Sequence, residues 1–284
     1  MKKIIFFFAL IVVFSFSELK AQESTVLDGI YVKEHYPSRR VIPYTSLREA
    51  DVMWNKRVWR RIDLREKQNH SLYFPVKDFA QGRKNLFEII QDAVLNEGTI
   101  TAYSPGSVVA PDDMFTTPLT TEEVKAILTP TTSEDVYDEF GEITGTQDIE
   151  NPITADKVKF YDIKEEWFFD KQRSVMDVRI IGILPMIEVE TETGEMALKD
   201  LFWIYYPEAR YVFANNEVFN RGNDAERRTY EDIFWKRQFA SRITKVSNVY
   251  ERKIGDYKSG IDALLESEKL KEEIFNFEHD LWHF

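Results

Sequence analysis

Residues 159–184, KFYDIKEEWFFDKQRSVMDVRIIGIL, leave little freedom in how the second half of the chain folds. Aromatic and β-branched residues gather on both sides of a polar DKQR, the pattern of two long antiparallel strands joined by a turn. Alternation puts Tyr161, Ile163, Trp167 and Phe169 on one face. A third strand is expected in DLFWIYYPEARYVF, residues 200–213, with Pro207 marking a bend or an edge. Helical patterns flank this region. RKNLFEIIQDAVL runs between Gly82 and Gly98, a long segment begins at Asn223 or Asp224 and reaches about Ile254, and a last helix covers Gly260 to Phe277. TITAY, just after Gly98, reads as a short strand. The fold class is therefore α+β, an antiparallel sheet flanked by N-terminal and C-terminal helices.

The N-terminal half holds a second conspicuous stretch, LREADVMWNKRVWRRIDLRE at 47–66. Counting by fours gives Ala50, Trp54, Val58 and Ile62, with Leu47 and Met53 on the flank, and this spacing predicts an amphipathic helix. Ser46 stands three residues before Glu49, the capping-box spacing. Arg57, Arg61 and Arg65 recur on a neighbouring face with Lys56 and Arg60 beside them, and Asp63 is placed to neutralise Arg60. Trp54 belongs to the apolar stripe; Trp59 lies off it and reads as a contact residue. Asp51–Ile62 also aligns without gaps on Asp232–Ile243, so that Trp235, Lys236, Arg237 and Arg242 echo the same chemistry. Tryptophan and arginine tolerate desolvation well, which is why they concentrate where proteins bury surface in one another. Partner contacts are accordingly expected at Lys56, Arg57, Trp59, Arg60, Arg61, Arg65, Trp235, Lys236, Arg237 and Arg242, with Arg57, Arg61 and Arg65 placed to clamp carboxylates on a partner or on the acidic segment of the same chain.

Residues 1–21 carry Lys2 and Lys3 followed by an apolar run from Ile4 to Phe16, the outline of a secretory signal cut after Ala21. The run falls short of the about 20 apolar residues a spanning helix needs. Residues 22–45 read as an extended, Pro-punctuated arm, 46–111 as a helical N-terminal domain, 112–156 as an acidic loop or linker, and 157–284 as the sheet with its C-terminal helices. Cysteine is absent, which excludes disulfides, thiolate metal sites, cysteine nucleophiles and a lipid-modified N-terminal cysteine. A soluble, periplasmic chain without direct membrane insertion is expected. Its net charge of −12 opposes binding to a phosphate backbone, so nucleic acid is not a candidate partner.

Motif strings for nucleotide binding, serine hydrolysis or zincin chemistry do not occur. No cofactor is expected. His279 and His283 have the i, i+4 spacing of a helical zinc pair but lack a fixed third ligand. Glu165, Glu166 and Asp170 stand near the hairpin turn; Glu166 and Asp170, on one strand face, are the carboxylate pair a periplasmic carbohydrate-active enzyme would use, and this is the alternative to a non-enzymatic reading.

DGIYVKEHYPSRRVIPY, LREADVMWNKRVWRRIDLREKQNH, DDMFTTPLT, EEWFFDKQRSVMDVRIIGI, YEDIFWKRQFASRI and DYKSGIDALLESEKLKEEIFNFEHDLW together resemble the gliding-motility GldN family, also called PorN. The resemblance implies a periplasmic subunit of the type IX secretion system. It further implies a ring built with an outer-membrane lipoprotein, GldK or PorK, and contact with the periplasmic part of the inner-membrane motor protein GldM or PorM. It brings no catalytic residues. Opposite charge on the arginine row and the acidic segment would let neighbouring copies attract head to tail in such a ring.

Overall fold

The computed structural model describes residues 30, 39–76, 83–107, 110–137, 143–191, 194, 196–223 and 225–281; for 132–137 and 143–149 it describes the backbone alone. In chain order the elements are β1 (Val52–Asp63), α1 (His70–Tyr73), α2 (Leu86–Leu95), β2 (Ala102–Tyr103), α3 (Thr121–Leu128), β3 (Thr131–Tyr137), β4 (Ile143–Glu150), β5 (Val158–Asp170), β6 (Val175–Glu190), β7 (Met196–Asp200), β8 (Trp203–Tyr205), α4 (Tyr206–Asn215), α5 (Tyr230–Trp235), β9 (Arg242–Val246) and α6 (Gly260–Asp280). The β5–β6 hairpin expected around DKQR is the centre of a seven-stranded antiparallel sheet of order β2-β8-β6-β5-β1-β9, with β7 also pairing β6. Six α-helices among the described residues complete an α+β fold. Two compact units make up the chain, residues 1–36 and 37–284; of the first, Ile30 alone is described, and the signal segment lies outside the described residues.

Asp170 closes β5 and holds the turn into β6. It accepts from the backbone N–H of Gln172 at 2.9 Å and from Arg173 Nε at 2.6 Å. The Arg173 hydrogen bond, reinforced by those backbone donors, keeps the Asp170 carboxyl below its usual range. Its contribution to stability is therefore complete above the unfolded pKa, about 4, and disappears as the pH falls through the folded value. Asp170→Asn should flatten the acid side of the stability curve below about pH 4 and leave its slope near neutrality unchanged. Urea titrations at stepped pH would check this; an acid limb as steep as in the parent chain would count against it.

Residues 47–66 are not a helix. Their core is β1, paired in antiparallel register with β5 from Val52↔Asp170 to Asp63↔Phe160, and with β9 from Val58↔Val246 to Arg61↔Arg242. Cross-strand chemistry favours this arrangement, since Arg61 faces Asp162 and Arg57 faces Glu166 directly. The alignment of Asp51–Ile62 with Asp232–Ile243 consequently sets a strand against α5 and β9, and the two stretches share no structure.

The long helix expected from 223 to 254 shrinks to α5, capped by Thr229 and Asp232, followed by β9. YYPEARYVF is helical as α4, with Pro207 in its first turn, where the missing N–H costs nothing. The segment expected as an acidic loop contains α3, closed by a Thr120–Glu123 capping box, and the separate β3–β4 hairpin. RKNLFEIIQDAVL forms α2, with Asn85 accepting from the Glu88 N–H at its start.

The sheet buries one face against α2, α4 and α5. Ile62, Tyr161, Ile163, Phe202, Phe213 and Phe234 belong to that main core. A second cluster, Val58, Ile243, Val246, Ile254 and Ile274, lies where α6 covers the β1–β9 end. On the opposite sheet face Phe160, Leu184, Met186 and Trp203 form a third, with Trp59 and Phe115 packed on it.

Candidate partner-binding surface

Strand alternation divides the cations of β1 between two faces. The even positions turn toward the main core and α6: Ile62 and Val58 are fully buried, and Trp54 stacks on Phe277 at 4.7 Å. Arg60 shares this face and is buried. Its Nε donates to Ser241 Oγ at 2.9 Å and its Nη2 to the Ser241 carbonyl at 3.2 Å, while burial lowers its pKa. Lys56, also even, is half-buried.

The odd positions open into a groove of about 670 Å³ whose lining includes Arg57, Trp59, Arg61, Asp162, Glu166 and Trp203. Arg61 grips Asp162 with two bonds of 2.7 and 2.8 Å. Burial works against its charge, but the bidentate carboxylate outweighs it and raises the guanidinium pKa. Arg57 is freer: 38% of its side chain is exposed and its nearest carboxylate, Glu166, is 3.9 Å away. Glu166 Oε1 instead accepts from Asn55 at 3.0 Å.

Trp59 lies between two ammonium groups, Lys245 at 4.4 Å and Lys164 at 5.7 Å from the ring centre. Lys164 is buried and donates to the Asp113 carbonyl, and its burial lowers the pKa. That bond ties the loop carrying Phe115 over the sheet at Gly182, where a Cβ would come within 2.5 Å of the Phe115 ring. Arg65, just beyond β1, folds back on Asp63 at 2.8 Å and reaches Glu188 at 3.7 Å.

The α5 residues divide in the same way. Trp235 is 43% exposed, stacked on Tyr44 and lying 5.0 Å from the Arg210 guanidinium. Lys236 is exposed and pairs loosely with Asp232 at 3.5 Å. Arg237 turns inward to Glu165 at 2.9 Å. Arg242 on β9 is exposed. The ten cations and tryptophans thus do not make one continuous row: Arg60, Arg61 and Arg237 are engaged within the chain, and the carboxylates that Arg57, Arg61 and Arg65 meet are Glu166, Asp162 and Asp63, outside the acidic segment.

Two buried ion pairs escaped the sequence reading, Glu165 with Arg237 and Arg210 with Glu231. Glu165 has no exposed surface and accepts from Trp167 Nε1 at 3.0 Å. Its place between Ile163 and Trp167 on an apolar face was the available signal, because a lone carboxylate there must find a cation. The Arg210–Glu231 pair at 2.7 Å, joined by Tyr206 Oη, left no such trace because its members sit on different helices.

Glu166 and Asp170 do share a face of β5, but four residues of strand separate their Cα atoms by about 13 Å. Asp170 is moreover committed to its turn. His283 lies outside the described residues, and among those described no group of three His, Cys, Asp or Glu side chains is placed to hold a metal. Nor is any helix among them long and apolar enough to cross a membrane.

Fold and surface together define an α+β protein built on one long hairpin, with a mixed-charge, tryptophan-lined groove on the open side of its sheet. The sequence profile of the family described as "Gliding motility associated protein GldN" matches residues 47–283, and the chain belongs to that family. This places it among components of gliding motility and type IX secretion. No curated protein matches the chain.

Proposed function

We propose that the protein is a non-enzymatic, periplasmic structural subunit of the type IX secretion and gliding machinery. It assembles in a ring with an outer-membrane lipoprotein of the GldK/PorK kind and touches the periplasmic part of the inner-membrane GldM/PorM motor protein. The observation that supports this most is family membership across 47–283. Peripheral association with the outer membrane then comes through the lipoprotein.

The contact set is narrower than the sequence suggests. Arg57, Trp59, Lys56, Arg65, Trp235, Lys236 and Arg242 retain access to solvent, whereas Arg60, Arg61 and Arg237 are engaged by Ser241, Asp162 and Glu165. A neighbouring copy would present its acidic 112–156 segment, folded as α3 and the β3–β4 hairpin, to the Arg57 side of β1.

Arg57→Glu is the test, because the one carboxylate that Arg57 reaches among the described residues, Glu166, stands 3.9 Å away. Co-purification with the lipoprotein from envelope extracts, followed by size measurement, should give a large complex for the parent chain and about tenfold less of it for Arg57→Glu, with a melting temperature lower by no more than about 4 °C, since the new carboxylate faces Glu166 across the strands. A chain that stays monomeric beside the lipoprotein overturns the scaffold reading; an undiminished ring in Arg57→Glu overturns the head-to-tail contact.

A further inference from the structure

Helix α6 covers the second core cluster with Ile274, Leu270 and Ala263, yet it leaves Ile261 at 75%, Leu264 at 47%, Leu265 at 62% and Phe275 at 65% exposure. Single exposed apolar residues are ordinary; four on one helix, two of them bordering one groove, ask for a cover. Leu264 and Phe275 border a groove of about 1200 Å³ between α6 and the β1–β9 end of the sheet, with Trp167 and Phe239 supplying further apolar lining. Eleven residues of helix separate Leu264 from Phe275, about 16 Å or three turns.

Charge decides what fits. Glu66, Glu272 and Glu278 line the same groove and make no ion pair among the described residues. Of the four cations that line it, Lys271 pairs with Glu268 at 3.2 Å, Arg237 pairs with Glu165 at 2.9 Å and Arg60 donates to Ser241 Oγ at 2.9 Å; Arg242 is exposed, so three unpaired carboxylates outnumber the one cation that no carboxylate holds among the described residues. A second copy offering this face would set carboxylates against carboxylates, and an anionic lipid surface would be repelled.

We propose that this groove receives a basic amphipathic helix from a partner protein. Its apolar side, spaced i, i+4, i+7, i+11, covers Leu264 and Phe275, and its lysines or arginines meet Glu66, Glu272 and Glu278. The surface is separate from the Arg57 groove, so the inference stands or falls apart from the ring contact.

The test places a photoreactive benzoylphenylalanine at Phe275 in the full chain, as the sole copy in producing cells, and sequences whatever peptide is cross-linked. The expected product is a Lys/Arg-rich amphipathic segment of a different protein, with the yield cut about tenfold when Glu272→Lys and Glu278→Lys are added at unchanged melting temperature. Cross-linking to lipid, to another copy of this chain or to a segment without basic residues overturns the proposal. So does no cross-link, or a yield indifferent to the two reversals. Arg57→Glu cells that lose the ring but keep the cross-link would separate a failure of the ring contact from a failure of this groove.

Discussion

Arg237→Ala should destabilise the protein by roughly 3–5 kcal/mol, the cost of leaving a buried carboxylate without its cation. Glu165 has no exposed surface, and Arg237 Nη2 stands 2.9 Å from its Oε1 and 3.1 Å from its Oε2. Removing the guanidinium leaves Trp167 Nε1 as the remaining donor to that carboxylate. It also uncovers the Trp167 and Phe239 rings, over both of which the guanidinium lies at 5.4 Å. Urea denaturation reads the loss directly. Replacing both partners, Arg237→Met with Glu165→Leu, should recover most of it, because two apolar side chains carry no desolvation cost.

The same pair of measurements separates an internal from an external role for Arg237. A residue kept for a partner would cost assembly and little folding; one kept for Glu165 costs folding first, whichever complex is present. A loss below about 1 kcal/mol in the single variant would match an exposed ion pair and would sink the internal role.

The hairpin was legible because its apolar alternation and its polar turn point to the same structure. β1 was not, and the reason lies in its numbers: Trp54, Val58 and Ile62, like Arg57, Arg61 and Arg65, recur every four residues. Four is close to the helical repeat and also a multiple of the strand repeat, so both geometries place each row on one face. The deciding positions are those two residues away, and there Lys56 and Arg60 are charged, hiding the strand. What stabilises Arg60 inside is the Ser241 side chain and carbonyl, 181 residues distant, which no local pattern can report. Capping boxes at α3 and α5 are present in the sequence as Thr120–Glu123 and Thr229–Asp232, but α3 was obscured by the threonines and prolines around it. For the surface, residue type identified cations and tryptophans suited to contact; only the register against β5 could tell which were already taken by Asp162 and which stayed open.

Phe213→Ala should lower stability by about 3–5 kcal/mol, since it empties the centre of an aromatic cluster that cannot easily collapse. Phe213 is fully buried, with ring centres at 5.7 Å to Phe234, 6.2 Å to Tyr206 and 6.4 Å to Tyr230. These four rings join α4 to α5. At about 2–4 °C per kcal/mol for a chain of this size, the melting temperature should drop by roughly 6–20 °C, and Phe213→Leu should lose much less. The effect should also be uneven. Trp235 ends the helix that Phe213 anchors and Lys236 and Arg237 follow it directly, so amide exchange at 230–237 should accelerate more than exchange in β5 and β6, whose packing does not pass through this cluster alone. A melting temperature within about 2 °C of the parent, or exchange that speeds up equally across the sheet, would show that the rings are not what fixes the α5 end of the contact surface.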